Sequence, residues 1–537
     1  MKTSFSKLFE LVSCLCFTVI FLNGCKNKDA ESKQETKRPN IVFILADDLG
    51  ANDLGYAGSI YYETPNIDRI ANEGVEFTQG YAACQVCSPS RASLLTGQFT
   101  ARHGITDWIG AASGEQWIKR NNSKILPSEY VHAIPDEDVT IAEAFKTEGY
   151  KTFFAGKWHL GDNPSNPENN GFDINKGGWE VGNPKGGYYA PWDNPKLDYN
   201  YEGENLTMRL AQETVNFISE NKDEPFFAFL SFYAVHTPLQ TTQKKWKKYR
   251  DKAEAQGIQD SGFKMERNLP VSVVQDNPIY GGLVETMDDA VGLVLDKLKR
   301  LNLDKNTIII FTSDNGGLVS SKYGAFATSN LPLRGGKGYQ WEGGIREPYL
   351  IKAPMIEDAP KKIDYPVSGI DFYPTLLELA GVQTKPTQKI DGVSLMPLLK
   401  GKRLENRPLF WHYPHYGNQG GEPTSIIRSE QWKLIHYWEN GQDELYNLSK
   451  DPSEKEDVSM GNPEITKKMR SELDAFLAET NANIPNMNPN FDATEARKLY
   501  ENRKTKILQN LEKQRKDFLD KDFQLNTDWW KSKITID

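Results

Sequence analysis

The sequence predicts an α/β fold. A large, mainly parallel sheet is sandwiched by helices, and a smaller C-terminal α+β subdomain of short strands and a helix follows. Three observations predict it. Four apolar runs read as buried strands, helical patterns alternate with them, and after about residue 402 the chain changes to short alternating strands. At 537 residues the chain exceeds what one compact core usually holds.

The four runs are NIVFILADD (Asn40 to Asp48), YKTFFAGKWHLG (Tyr150 to Gly161), PFFAFLSFYAVHTP (Pro225 to Pro238) and NTIIIFTSDNGG (Asn306 to Gly317). Each is apolar without alternation, as strands covered on both faces are. The stretches TIAEAFKTEGY and ETMDDAVGLVLDKLKRLNL supply helices between them. Behind the sheet region come alternating strands, a helix near PEITKKMRSELDAFLAET, and a charged tail, NPNFDATEARKLYENRKTKILQNLEKQRKDF. The tail is expected to be partly helical and to pack on the surface; full disorder is the alternative. The expected division is 1–24 signal peptide, 25–38 tether, 39–402 large α/β domain and 403–537 C-terminal subdomain with a helical tail.

The N-terminus has Lys2 and Lys7, an apolar run, and then Leu22-Asn23-Gly24-Cys25. This resembles a bacterial lipoprotein signal, so Cys25 is expected to carry lipid and to anchor an exported protein at the outer membrane, in the periplasm or at the cell surface. A plain secretory signal is the alternative. The charged KNKDAESKQETKR that follows reads as a flexible tether. Of five cysteines only Cys84 and Cys87 then remain, too few for a disulfide framework. Composition is 38% hydrophobic and 26% charged with a net charge of −9, which suits a soluble globular protein and argues against a nucleic-acid partner.

Every strand run ends in reactive residues: Asp47 and Asp48, Lys157 and His159, His236, then Asp314 and Asn315. Ligands of open α/β sheets bind beyond the carboxyl ends of the strands, so four segments converge on one site. Each has a bland reading as well. Asp47-Asp48 suits a helix cap, Asp314-Asn315-Gly316 a turn, and a lone histidine is usually structural. Three carboxylates and one amide oxygen suit a hard divalent cation, Ca²⁺ or Mg²⁺, rather than zinc. Arg91, Lys157, His159, His236 and Lys337 add the charge of an oxyanion pocket. The bland reading of RGGKG around Lys337 is a solvated loop. Cys87 precedes Ser88-Pro89, a cap and first-turn pair, so position 87 is expected at a helix N-terminus, with the helix stopping near Gly97.

These residues resemble the type I sulfatases of the alkaline phosphatase superfamily. CSPSRASLLTG matches the C-x-P-x-R…L-x-T-G signature of that family. PNIVFILADDLG, TPNIDRIANEGVEFTQGYA, GKWHLG, VHTP, SDNGG, GGKGYQWEGGIREP and DELYNLSKDPSEKED follow the same order from Pro39 to Asp457. Gln340-Trp341 and the long polar tail depart from it.

The resemblance implies that the C-terminal subdomain carries a short antiparallel sheet and that Cys87 is converted by a maturation enzyme to formylglycine. Its hydrated aldehyde attacks sulfur through one hydroxyl, and the second lets the sulfated intermediate collapse. It implies one Ca²⁺ held by Asp47, Asp48, Asp314, Asn315 and the modified residue 87. Arg91 would hold the formylglycine with help from His159, and Lys157 and Lys337 would bind sulfate. His236 would be the general acid, with Lys337 its rival.

The substrate expected is a sulfated polysaccharide or oligosaccharide, with an algal glycan such as ulvan favoured. Aromatic faces suit sugar rings, and the chain has 12 Trp and 23 Tyr. FWHYPHYGNQGGEPTSIIRSEQWKL adds His412, His415 and Arg428 as expected substrate contacts; for Arg428 a purely structural strand position is an equal reading. Formylglycine relatives that cleave phosphodiesters or phosphonates supply the main alternative. A glycan-binding protein with a dead site, or a C-x-x-C redox protein, fits the residues less well.

Overall fold

Strand β1 (Asn40–Ala46) is buried along its whole length, and its side chains feed two cores. Ile41, Phe43 and Leu45 join one apolar cluster, and Val42, Ile44 and Ala46 join the other. That is why the run shows no alternation: neither face of the strand meets water. The computed structural model describes residues 38–119, 121–525 and 534–536. The expected signal peptide, Cys25 and residues 25–37 of the tether lie outside the described residues. Among the described residues no helix is long and apolar enough to cross a membrane.

Around β1 stand β2 (Val75–Tyr81), β3 (Lys151–Gly156), β4 (Ile174–Lys176), β5 (Phe226–Ser231), β6 (Thr307–Ser313), β7 (Tyr349–Lys352) and β8 (Lys361–Ser368). The order across the sheet is β8-β2-β7-β6-β1-β5-β3-β4. Only β7 runs antiparallel to its neighbours; every other pair is parallel. The register sets the carboxyl ends level. Leu45 pairs with Ser231 and Thr312, Ala46 with Ser313, and Gly156 with Ser231. The next residues of β1, β3 and β6 therefore emerge side by side.

Helices α1 (Pro65–Glu73), α4 (Leu206–Glu220), α5 (Gln243–Gln256) and α6 (Pro278–Arg300) cover one face. Helices α2 (Cys87–Thr96), α3 (Ile141–Thr147) and α7 (Phe372–Ala380) cover the other. The helix expected over TIAEAFKTEGY forms, and a reciprocal capping box between Thr140 and Glu143 fixes the start of α3.

The C-terminal sheet is a four-stranded antiparallel meander of β9 (Leu409–Tyr413), β10 (Thr424–Ser429), β11 (Trp432–Tyr437) and β12 (Gln442–Asn447). Helix α8 (Pro463–Glu479) packs on it through Met469, Leu473, Phe476 and Leu477, in a core that also takes Tyr81, Phe99 and Trp341. Trp341, in the stretch that departs from the family pattern, is a core residue with the Arg334 guanidinium 3.7 Å from its ring centroid.

The tail is partly helical, as expected. Helices α9 (Ala493–Asn502) and α10 (Leu508–Leu519) lead Leu511, Phe518 and Leu519 into the core of α4, α5 and α6. Arg515 is 2% exposed and pairs with Asp276 at 2.5 Å. The Trp246 indole donates to the Phe518 carbonyl at 3.0 Å. The tail packs on the surface as expected: α9 buries no residue, and the charged pattern of α10 hides one apolar stripe that anchors it.

Candidate active site

Asp47 and Asp48 follow β1, Lys157 and His159 follow β3, His236 follows β5, and Asp314 and Asn315 follow β6. The level strand ends bring them together. Oxygens of Asp47, Asp48 and Asp314 all lie within 4.8 Å of one another. Three cations face them. Lys157 Nζ is 2.7 Å from Asp47 Oδ2, Lys337 Nζ 2.7 Å from Asp48 Oδ1, and Arg91 Nε 2.7 Å from Asp314 Oδ2. Arg91 is held further by bonds to the Lys157 carbonyl and to Ser231 Oγ. All six side chains are buried.

Burial and the adjacent carboxylates act against the charge on Asp47. Burial drives its carboxyl well above the ordinary value against the pull of Lys157, and Asp314 and Asp48 add to the rise. Burial acts on Asp48 too, but Lys337, His236 and Lys157 outweigh it and hold that carboxyl low. Asp314 is likewise held low against burial, by Arg91 first and Lys157 next. Two oxygens are left over: Asp47 Oδ1 and Asn315 Oδ1 are buried without a hydrogen-bond partner. Buried acceptors of this kind need a partner, and a hard cation among hard oxygen donors supplies one. The donor set therefore fits Ca²⁺. With a divalent ion holding Asp47 ionised, three carboxylates balance three protein cations and the ion would leave the site positive, as an anionic ester requires.

Cys87 is the first residue of α2, 4% exposed, and a free thiol. One detail differs from the sequence reading. The N-cap is Val86, in extended conformation with no side-chain cap, because the Ser88 hydroxyl is engaged by the Ile109 amide at 3.0 Å. The helix ends as expected at Gly97, whose φ of 70° closes the last turn. His159 Nδ1 lies 3.4 Å from Cys87 Sγ, while its Nε2 lies 3.1 Å from the Ile109 carbonyl. An Nε2–H donor to that carbonyl leaves the Nδ1 lone pair facing position 87. Burial, with Lys157 close by, keeps this histidine neutral. Cys84, by contrast, is buried beside Val86 and Tyr413, and burial pushes its thiol up.

Cys87, Asp48, His159, His236 and Lys337 open onto a cavity of about 640 Å³. His236 Nδ1 donates to the Thr237 carbonyl at 2.6 Å, and its Nε2 lies 3.8 Å from Asp48 Oδ2. Burial and then Lys337 lower its pKa to about 3. The RGGKG stretch is no solvated loop: Lys337 is 5% exposed and its amide donates to the Gly317 carbonyl at 3.0 Å.

His412, His415 and Arg428 do not line the cavity, which corrects their expected role as substrate contacts. His412 is locked in the C-terminal sheet between Ser425 Oγ at 2.7 Å and the Asn483 carbonyl at 3.0 Å. His415 is 1% exposed and bonds Thr106 Oγ1 at 2.9 Å. Arg428 is buried, bonded to Gln79 and set 5.4 Å from the Tyr81 ring centroid. Trp108, Glu180, Asn183, Tyr323 and Gln419 line the cavity instead. All sit on loops without periodicity; Gln419 falls in the polar-aromatic stretch from Phe410 to Leu434, and no sequence signal marks the other four.

Comparison with known proteins agrees with this geometry. A family model described as Sulfatase matches residues 39–382, and one described as N-sulphoglucosamine sulphohydrolase, C-terminal, matches 336–482. A sulfatase of Formosa agariphila is 32% identical over 528 residues, covering 84% of this chain and 90% of that one. The N-acetylgalactosamine-6-sulfatase of Homo sapiens is 33% identical over 427 residues, covering 75% and 73%. The crystal structure of Ps i-CgsB in complex with k-i-k-neocarrahexaose superposes with a TM-score of 0.66 at 28% identity, covering 88% of this chain and 99% of that one. The matched model spans the residues that converge on Cys87 and the Asp47–Asp48–Asp314 cluster, and on that ground the chain belongs to the sulfatase family and is a sulfuric ester hydrolase.

Proposed function

We propose that this sulfatase removes sulfate esters from a sulfated polysaccharide or its oligosaccharides, a marine algal glycan such as ulvan, using a formylglycine made from Cys87 and one Ca²⁺. The observation that carries the mechanism is the position of Cys87: a free thiol opening the helix α2, facing the cavity beside a carboxylate cluster with two orphaned oxygens. The glycan reading draws on the neocarrahexaose complex of Ps i-CgsB and on a cavity larger than one sulfate group needs. The Leu22–Cys25 sequence supports a lipid anchor at the outer membrane, and Cys87-Ser88-Pro89-Ser90-Arg91 a maturation enzyme as partner.

When bound, the hydrated aldehyde supplies an oxygen nucleophile for sulfur, and Ca²⁺, held by Asp47, Asp48, Asp314 and Asn315, supplies positive charge to the sulfate oxygens. The side chains do the rest. Lys157 and Lys337 add charge to the same oxygens. Arg91 fixes Asp314 next to position 87. His159 Nδ1, unprotonated, takes a proton from the group at position 87. His236 Nε2 protonates the leaving oxygen once the anionic ester has raised its affinity for a proton.

Mass spectrometry of the peptide spanning residues 84–97 tests the core of this reading. Conversion replaces SH₂ by O, and the converted fraction should track specific activity across preparations. Chelation should abolish activity and added Ca²⁺ restore it. An active preparation with unmodified Cys87, or faster cleavage of an aryl phosphodiester than of an aryl sulfate, would overturn it.

A further inference from the structure

A second groove, of about 360 Å³, adjoins the active-site cavity across a shared wall. Lys322 lines the groove, while its neighbours Ser321 and Tyr323 line the cavity. Gly417 and Gly420 line the groove, while Asn418 and Gln419 between them line the cavity. The Lys322 amide donates to the Asn418 carbonyl at 2.8 Å and ties the two segments into one partition. A ligand crossing this partition enters the groove.

The groove gathers three cations: Lys124, Lys322 and Arg503. Among the described residues none of the three forms an ion pair with a carboxylate. Lys322 Nζ instead sits over aromatic rings, 5.4 Å from the Trp117 centroid and 5.3 Å from that of Tyr323. Trp117 is itself stacked on Tyr416 at 5.8 Å, which fixes the platform. The two carboxylates of the groove pair with none of these cations. Glu422 pairs with Arg267 at 3.1 Å, and Glu439 accepts from the Tyr416 hydroxyl at 2.9 Å. Burial lowers the pKa of Lys322, and repulsion from Arg503 lowers it further; burial lowers that of Arg503. In a chain of net charge −9, partly buried cations that repel one another and, among the described residues, form no ion pair make a site open to an external anion. Tyr500, 36% exposed on the tail helix α9, adds an aromatic face beside them.

We propose that this groove binds an anionic substituent of the glycan chain, a sulfate or carboxylate on a sugar beyond the one being desulfated. The proposal rests on the polysaccharide reading above. It gives the C-terminal tail a function, since Arg503 and Tyr500 belong to it: the tail completes a subsite for an extended, multiply charged substrate.

Binding of dextran sulfate, with neutral dextran as control, tests it in the full-length Cys87→Ala protein, which cannot turn over. Dextran sulfate should bind and dextran should not. The double variant Lys322→Gln/Arg503→Gln should weaken dextran sulfate binding by about tenfold or more, with Lys322→Arg close to the parent. In the Cys87 background the double variant should raise KM for sulfated oligosaccharides and leave kcat largely unchanged. KM for a small aryl sulfate, which does not reach the groove, should stay within about twofold. Equal dextran sulfate affinity in parent and double variant overturns the proposal. So does a parallel loss on the aryl sulfate, which marks a structural role. Failure of the polysaccharide reading looks different: the parent enzyme turns over aryl sulfate but releases no sulfate from any polymer, whatever the groove variants do.

Discussion

His236 and Lys337 both face Asp48, and their proton affinities are shifted in opposite directions. Burial and Lys337 hold His236 near pKa 3, so it is neutral before substrate binds, while Asp48 overcomes burial and holds Lys337 protonated. Lys337 Nζ is fixed 2.7 Å from Asp48 Oδ1, which makes it a reluctant donor. His236 Nε2 is held more loosely, 3.8 Å from Asp48 Oδ2, and the charge of a bound ester moves its pKa upward. The two assignments differ in leaving-group dependence. His236→Ala should cost about 10²–10⁴-fold in kcat/KM on a sugar or alkyl sulfate, whose leaving oxygen needs a proton. It should cost far less on a nitrophenyl sulfate, whose leaving group departs unprotonated. Lys337→Ala should depress both. Equal losses on the two substrates in His236→Ala would transfer the acid role away from His236.

At the scale of elements, the site depends on two glycine-rich loops packed backbone against backbone. The Gly316 amide donates to the Gly344 carbonyl at 3.0 Å, and a Cβ at Gly316 would stand 1.9 Å from the Gly343 carbonyl oxygen. One loop carries Asp314 and Asn315, the other Lys337, so the close approach sets the metal-facing oxygens against the sulfate-facing cation. Gly316→Ala should cost about 1–3 kcal/mol by overpacking and lower kcat/KM together with stability. Gly461→Ala, where nothing lies near the added Cβ, should leave both unchanged. Urea melts and aryl sulfate kinetics on the pair check this; a Gly316→Ala protein of parental activity would refute it. Strand ends of this sort were legible in the sequence because reactive residues directly follow unbroken apolar runs, and level register then makes one site of them. The cavity rim was not legible. Trp108, Glu180 and Asn183 sit on loops whose course no periodicity encodes. His412 and His415 misled because a buried, hydrogen-bonded histidine and a ligand-binding one look the same in a polar-aromatic stretch. Nor does sequence reveal that β7 enters the sheet reversed, since a strand buried on both faces reads alike in either direction.

For the molecule as a whole, the buried histidines set how folding stability responds to acid. His412 is 1% exposed, and burial lowers its pKa from 6.5 to about 4. His103, bonded to Ser93 Oγ and to the Ile105 amide, is lowered by burial to about 3. Between about pH 6.5 and 4 the unfolded chain therefore binds protons that the native state refuses. Stability from each group is fully present above its unfolded pKa and is lost as pH falls toward the folded one, by up to about 1.4 kcal/mol per pH unit. Asp53 acts in the opposite sense. Burial raises its carboxyl from 3.8 to about 7, so its contribution is fully present at low pH and is lost as pH rises through that range. The raw stability curve mixes these signs, but the difference between parent and variant isolates one group. His412→Gln keeps a side chain able to bond Ser425 and the Asn483 carbonyl but removes the titration. Urea unfolding at pH 7, 6 and 5 should show the variant less stable than the parent at pH 7 and the gap closing as pH falls. A gap that stays constant across the series would mean that His412 titrates alike in both states and that its burial does not reach its proton.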